Sequence, residues 1–165
     1  MKLLKAGLTL AVALLAVNEQ TAQAATATNT FQVTATVNSA CSVTATNLAF
    51  GVYDPSAAAN EKTSTVTVTC TLATPYDIGL NAGEAGADVT TRQMKESVLP
   101  DLINYDLFSD PSRTVNWGNT VGVDTVNVAS ALGTPEVHTV YGRIPAGQYV
   151  TAGSYSDTIS VTVTY

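Results

Sequence analysis

The last eleven residues alternate without a break. Tyr155, Asp157, Ile159, Val161, Val163 and Tyr165 fall on one face of an extended chain, and Ser156, Thr158, Ser160, Thr162 and Thr164 on the other. A period of two cannot place one apolar stripe on a helix, so this segment is a strand. The same period recurs along the chain. Phe31, Val33, Ala35 and Val37 alternate with Gln32, Thr34 and Thr36. Cys41, Val43 and Ala45 continue that phase, but Leu48 and Phe50 fall out of it, which predicts a bulge or bend near Thr46–Asn47. Further alternation runs through Val66, Val68, Cys70 and Leu72, and through Tyr76, Ile78, Leu80 and Ala82. It returns at Ile103, Tyr105 and Leu107, across Val121 to Val128, and across Val137 to Ile144. Breakers separate these runs: Asp54-Pro55, Thr74-Pro75, Gly83 to Asp88, Asp110-Pro111-Ser112 and Pro145-Ala146-Gly147. The best candidate for a helical turn is Thr91 to Leu99. Short strands at this spacing predict one all-β domain, a sandwich or barrel.

The first 24 residues have a different logic. Lys2 and Lys5 precede an apolar stretch, Ala6 to Val17, broken only by Thr9, and Ala22-Gln23-Ala24 places small residues where a signal peptidase cuts. About twenty apolar residues are needed to cross a bilayer, so the stretch is too short for an anchor. The expectation is a signal peptide over 1–24, an exported chain beginning at Ala25, and no membrane insertion.

Charge narrows the partners. Without Lys2, Lys5 and Glu19 the chain keeps five basic and twelve acidic residues, a net charge of −7. Nucleic acid is excluded as a partner, because neutralising phosphates supplies most of such affinity. Anionic membrane surfaces are disfavoured for the same reason. Only 12% of residues are charged, and the polar surface is mostly Thr, Ser and Asn. The two cysteines, Cys41 and Cys70, are expected to pair in an exported protein. Closing that loop would stabilise a small domain by roughly 3–4 kcal/mol.

The two ends are hazards taken separately. An alternating apolar segment sits before the first cysteine, and the final strand runs to the last residue with nothing in the sequence to cover its edge. Between molecules they could complement each other by strand addition. On alternation alone, the plainer alternative is that Thr30 to Val37 forms the first strand of its own sandwich.

A family resemblance shifts that balance. Cys41-Ser42-Val43, Leu48-Ala49-Phe50-Gly51-Val52-Tyr53-Asp54-Pro55 and Val66-Thr67-Val68-Thr69-Cys70 are followed by Gly83, Arg92, Met94, Tyr105-Asp106-Leu107-Phe108, Arg113 and Trp117-Gly118. The densest stretch is Val140-Tyr141-Gly142-Arg143-Ile144-Pro145-Ala146-Gly147-Gln148, then Gly153-Ser154-Tyr155-Ser156-Asp157-Thr158-Ile159. In this order these pieces resemble the spore coat protein U family, which includes subunits of archaic (Csu-type) chaperone–usher pili. The resemblance implies an immunoglobulin-like β-sandwich lacking its final strand, over residues 39–165. It implies a donor segment at 25–38 with Phe31, Val33, Ala35 and Val37 as the inserting side chains, and an acceptor-groove edge at Ile159, Val161, Val163 and Tyr165. The implied partners are identical or related pilus subunits, a periplasmic chaperone and an outer-membrane usher. The product would be a homopolymer on the cell surface that supports adhesion and biofilm formation. The alternative is a secreted adhesin or coat-type module that recognises a glycan or a surface. Only sixteen residues separate Ala25 from Cys41, so the donor and the domain's own first strand compete for the same stretch.

No catalytic pattern is expected. His138 is the sole histidine and sits in an alternating run, which reads as a surface or edge histidine on a strand. Gly153-Ser154-Tyr155-Ser156-Asp157 lacks the spacing of a nucleophile elbow. Asp54, Asp88, Asp101, Asp106, Asp110 and Asp124 nearly all lie in turn-like contexts, as solvated turn residues do. Two cysteines and one histidine cannot complete a tetrahedral zinc site, and no cofactor or metal is implied. Trp117, Tyr53, Tyr141, Tyr149 and Tyr155 read as packing aromatics. Arg92 and Arg143 are expected to pair with carboxylates or to cap carbonyls.

Overall fold

In the computed structural model, which describes residues 22–165, every regular element is a strand. The predicted signal peptide falls almost wholly outside the described residues. The chain divides after Ala35 into two units. In the first, residues 22–35 are exposed and outside any strand, and Phe31 and Val33 keep 88% and 83% of their surface in solvent. In the second, ten strands form: β1 (Cys41–Ala45), β2 (Asn60–Cys70), β3 (Tyr76–Leu80), β4 (Gln93–Glu96), β5 (Leu102–Asn104), β6 (Asp106–Phe108), β7 (Val126–Val128), β8 (Glu136–Ile144), β9 (Tyr155–Ser156) and β10 (Val161–Thr164).

They form three antiparallel sheets, ordered β1-β2-β8-β6, β10-β3-β7 and β5-β4-β9. The backbone of the first is the pairing of β2 with β8, from Asn60 opposite Ile144 to Val68 opposite Glu136. Alternation turns Val66, Val68 and Cys70 of β2 inward with Val140 and Ile144 of β8. They meet Tyr76, Ile78 and Leu80 of β3, Ile103, Leu107, Tyr105, Phe50, Ala131 and Trp117 in one core. The Trp117 indole N–H donates to the Ile78 carbonyl at 2.8 Å, so the ring is buried without an orphaned polar atom. Cys41 and Cys70 lie opposite each other in the β1–β2 register and are joined by a disulfide.

Arg92 is fully buried yet faces no carboxylate directly. Its guanidinium donates to the carbonyls of Asn81 (2.8 Å), Val89 (2.9 Å), Leu80 (2.9 Å) and Trp117 (2.7 Å). Asn81, Val89 and Trp117 lie outside the strands and Leu80 is the last residue of β3, so one side chain satisfies carbonyls at and beyond the end of a ladder. Burial pulls its pKa down, an effect opposed by the charges of Tyr105, Asp106, Asp124 and Asp157. Arg143 instead pairs with Glu61 at 2.9 Å, and Arg113 reaches the other Glu61 oxygen at 3.0 Å.

Several expectations are corrected. Thr30 to Val37 alternates but forms no strand, because no ladder partner supplies its backbone hydrogen bonds. Thr91 to Leu99 contributes β4, drawn into pairing by β5 and β9, and no helical turn. Residues 121–125 form a turn closed by Asp124, whose carboxylate accepts the Thr120 N–H at 2.7 Å; only Val126–Val128 is strand. Leu72 is exposed, since β2 ends at Cys70 and Ala73 adopts a positive φ of 63°. Asp106 is a half-buried strand residue of β6, and burial raises its pKa.

Candidate functional site

The final alternating run does not form one strand. Tyr155–Ser156 pairs with β4 and Val161–Thr164 with β3, leaving 157–160 outside any ladder. Facing is nevertheless kept throughout: Tyr155, Asp157, Ile159, Val161 and Val163 are half-buried, and the residues between them are exposed. The interruption is held in place by side chains. Asp157 accepts from the Glu84 N–H at 2.7 Å, the Tyr105 hydroxyl at 2.6 Å and the Thr158 N–H at 2.8 Å. Burial and that carboxylate raise the Tyr105 pKa. Asn81 accepts from the Ser160 N–H at 2.8 Å, and its own N–H donates to the Ser160 carbonyl at 3.2 Å. Gly83, at φ +83°, sits so close that a Cβ there would lie 1.8 Å from the Asp157 carboxylate. Only glycine fits this position.

A second segment without strand pairing, 46–50, follows β1. Its ends are tied down: the Thr46 N–H donates to the Thr65 carbonyl at 2.9 Å, and the Asn60 amide donates to the carbonyls of Phe50 (3.0 Å) and Val52 (3.2 Å). Leu48 and Phe50 rest on β8 at Gly142, where a Cβ would come within 2.7 Å of Leu48. This packing explains the phase slip read from the sequence.

Segments 46–50 and 155–161 form the two walls of a cleft of about 510 Å³. Its lining includes Val66, Leu80, Tyr105, Leu107 and Val140, which belong to the core itself. A second cavity of about 660 Å³ shares Leu48, Ala49, Phe50, Met94 and Tyr155 with the first and continues past Ile103, Ile144 and Val150. Together they make one apolar trough. At its far end the walls are joined: the Tyr53 hydroxyl donates to the Pro145 carbonyl at 2.8 Å and accepts the Gln148 N–H at 3.0 Å, and the Gly147 N–H donates to the Pro55 carbonyl at 3.0 Å. The Gln148 side chain also exchanges hydrogen bonds with the Asn104 backbone.

The trough brings together some of the residues expected from the sequence. Ile159 and Val161 line its first part, Val163 packs on the core along β10, and Tyr165 stays largely exposed. Among the described residues β10 pairs with β3 alone, so its other edge carries no ladder. Phe31, Val33, Ala35 and Val37 are all exposed. Sequence reasoning missed the opposite wall at 46–50; its signal was the phase slip before Leu48. It also missed Glu96, a buried carboxylate that accepts N–H bonds from Leu99 and Val98, which hold its pKa down. His138 is half-buried on β8, where its Nε2 shares a hydrogen bond with the Tyr76 hydroxyl at 3.1 Å, and burial lowers its pKa.

The protein is an all-β domain with the immunoglobulin-like fold of chaperone–usher pilus subunits. It is similar to a chain in the crystal structure of the CsuC–CsuE chaperone–tip adhesion subunit pre-assembly complex from the archaic chaperone–usher Csu pili of Acinetobacter baumannii. That match has a TM-score of 0.60 at 25% identity and covers 79% of this chain but only 41% of that one. The Spore Coat Protein U domain model matches residues 27–162, and Protein U of Myxococcus xanthus is 36% identical over 159 residues, spanning 87% of this chain and 88% of its relative. The chain belongs to the spore coat protein U family. A weaker structural similarity, TM-score 0.44 at 15% identity, is to the Hda pilus minor tip subunit HdaB of E. coli.

Proposed function

We propose that the protein is a structural subunit of a surface pilus, polymerised when the N-terminal segment of one copy fills the trough of the next. The carrying observation is the pair of unladdered segments, 46–50 and 157–160, that face an apolar trough floored by the core. Half-buried apolar walls are unfavourable in water, and backbone without a ladder invites a strand. A strand laid there would cover the half-buried Leu48, Met94, Tyr155, Ile159 and Val161 of the lining and could hydrogen-bond to both walls. Residues 25–38 have the matching pattern, with apolar side chains on one face and threonines and glutamine on the other. Phe31, Val33 and Val37 would bring roughly 5–8 kcal/mol of apolar burial, and the ladder hydrogen bonds add a smaller net amount each.

In this scheme residues 1–24 direct export and are removed. A periplasmic chaperone lends a strand until an outer-membrane usher exchanges it for the next subunit's residues 25–38. The fibre then reaches the cell surface, where it supports adhesion and biofilm formation. The test is to move residues 25–38 behind Tyr165 on a short flexible linker. The rearranged chain should be a stable monomer, whereas the natural order should be unstable or self-associated when made without a chaperone. A natural-order chain that is already monomeric with a high melting temperature would refute the proposal.

A further inference from the structure

The stretch 38–50 carries two connections at once. Its front end joins the N-terminal segment, and its rear end, 46–50, is one wall of the trough. In a fibre built as proposed above, on which this inference rests, both neighbours pull on that stretch from opposite ends. What lies between is β1, five residues laddered only to β2, with its last four exposed. Such a strand has little packing to resist being stripped from the sheet together with the wall behind it.

Where the pull enters, the chain is fastened. The Ala40 N–H donates to the Thr71 hydroxyl at 3.1 Å, and the Thr71 N–H donates to the Ala40 carbonyl at 2.9 Å. The next residue is Cys41, first in the β1 ladder, bonded to Cys70 at the end of β2. β2 is an interior strand, laddered to β1 on one side and to β8 over nine residues on the other, with Val66, Val68 and Cys70 in the core. We propose that the Cys41–Cys70 disulfide is a load junction, passing tension from the N-terminal segment into β2 before it can strip β1. Stabilising the fold by restricting the unfolded chain needs only a bridge somewhere in the ladder. A bridge at the first residue after the tether is what a tensile role needs.

The experiment stretches single assembled fibres by optical tweezers, before and after reduction, with thiol labelling to verify that the bridge is open. Circular dichroism at zero force checks that the reduced fibre keeps its sheet. The expected result is an intact sheet at rest, a yield force lowered by roughly half or more, and extra extension per yielding subunit. Opening the bridge releases the 29-residue separation between the cysteines, about 100 Å of extended chain. An unchanged yield force in reduced fibres would overturn the load role, as would loss of the sheet at zero force, which would make the bridge an ordinary thermodynamic staple. Failure to form fibres at all would overturn the assembly scheme and the load role with it.

Discussion

Replacing Val33 by aspartate separates the donor role from an ordinary structural one. Val33 keeps 83% of its surface in solvent, so nearly all its burial energy remains to be gained on insertion, about 2 kcal/mol. Aspartate forfeits that and brings a carboxylate into an apolar trough with no cation among the residues lining its first part. The carboxylate would sooner take up a proton than stay charged there. Protonating a group of ordinary pKa near 3.9 at pH 7 costs about 4 kcal/mol. The combined loss of about 6 kcal/mol is roughly four decades of affinity. Thr34→Asp points to the opposite face and should cost less than about 0.5 kcal/mol. The assay measures polymer and chaperone-bound subunit side by side. Val33→Asp should abolish polymer while the chaperone-bound subunit stays soluble and oxidised, and Thr34→Asp should leave both. Equal loss of both species in Val33→Asp would show that the residue supports its own domain and refute the donor role.

Other outcomes follow from single contacts, each read by denaturation of the donor-complemented monomer. Arg92→Met strands four carbonyls and should cost at least ~3 kcal/mol. Gly83→Ala forces a side chain into Asp157 at a positive φ and should cost about 2 kcal/mol or more, with the amides of 157–160 losing their exchange protection first. Acid should weaken the fold in two stages. The pKa of His138 is depressed by burial, so the unfolded chain binds its proton first, and stability falls as pH drops through about 6.5 towards the lower native value. Glu96, held down by the Leu99 and Val98 N–H groups, adds a second loss below about 4.3; its replacement by Gln should remove that stage. In base, burial and then the Glu136 charge push Tyr76 up to about 12, so stability should be lost as pH rises above about 10. Tyr76→Phe should blunt that loss.

The period of two made the strands legible because it records which face meets the core, and Val66, Val68, Cys70, Tyr76, Ile78 and Leu80 are buried as it required. Facing alone does not say whether a backbone partner exists. Residues 157–160 alternate as cleanly as β10 yet lie outside any ladder, and Thr30 to Val37 alternates without forming a strand. β4 went unread because Gln93, Met94, Lys95 and Glu96 carry no alternation, and distant partners at 102–104 and 155–156 supply its ladder. The disulfide followed from composition and compartment. The wall at 46–50 appeared only as a slipped phase, since its position depends on Asn60 and Gly142, far along the chain. For Arg92 the sequence left carboxylates and carbonyls open as partners, and its four carbonyl contacts come from separate segments of the chain.

The central claim is that residues 25–38 of one copy lie in the trough of another. Mixing two variants in equal amounts, one carrying only Val33→Cys and the other only Ile159→Cys, and oxidising the assembled material tests it directly. The account predicts a disulfide between Val33→Cys of one chain and Ile159→Cys of the next, with mixed dimers on a non-reducing gel and the linked peptides in its digest. Material that assembles but yields no mixed dimer, while a single chain carrying both cysteines closes the bond within itself as a monomer, would contradict it.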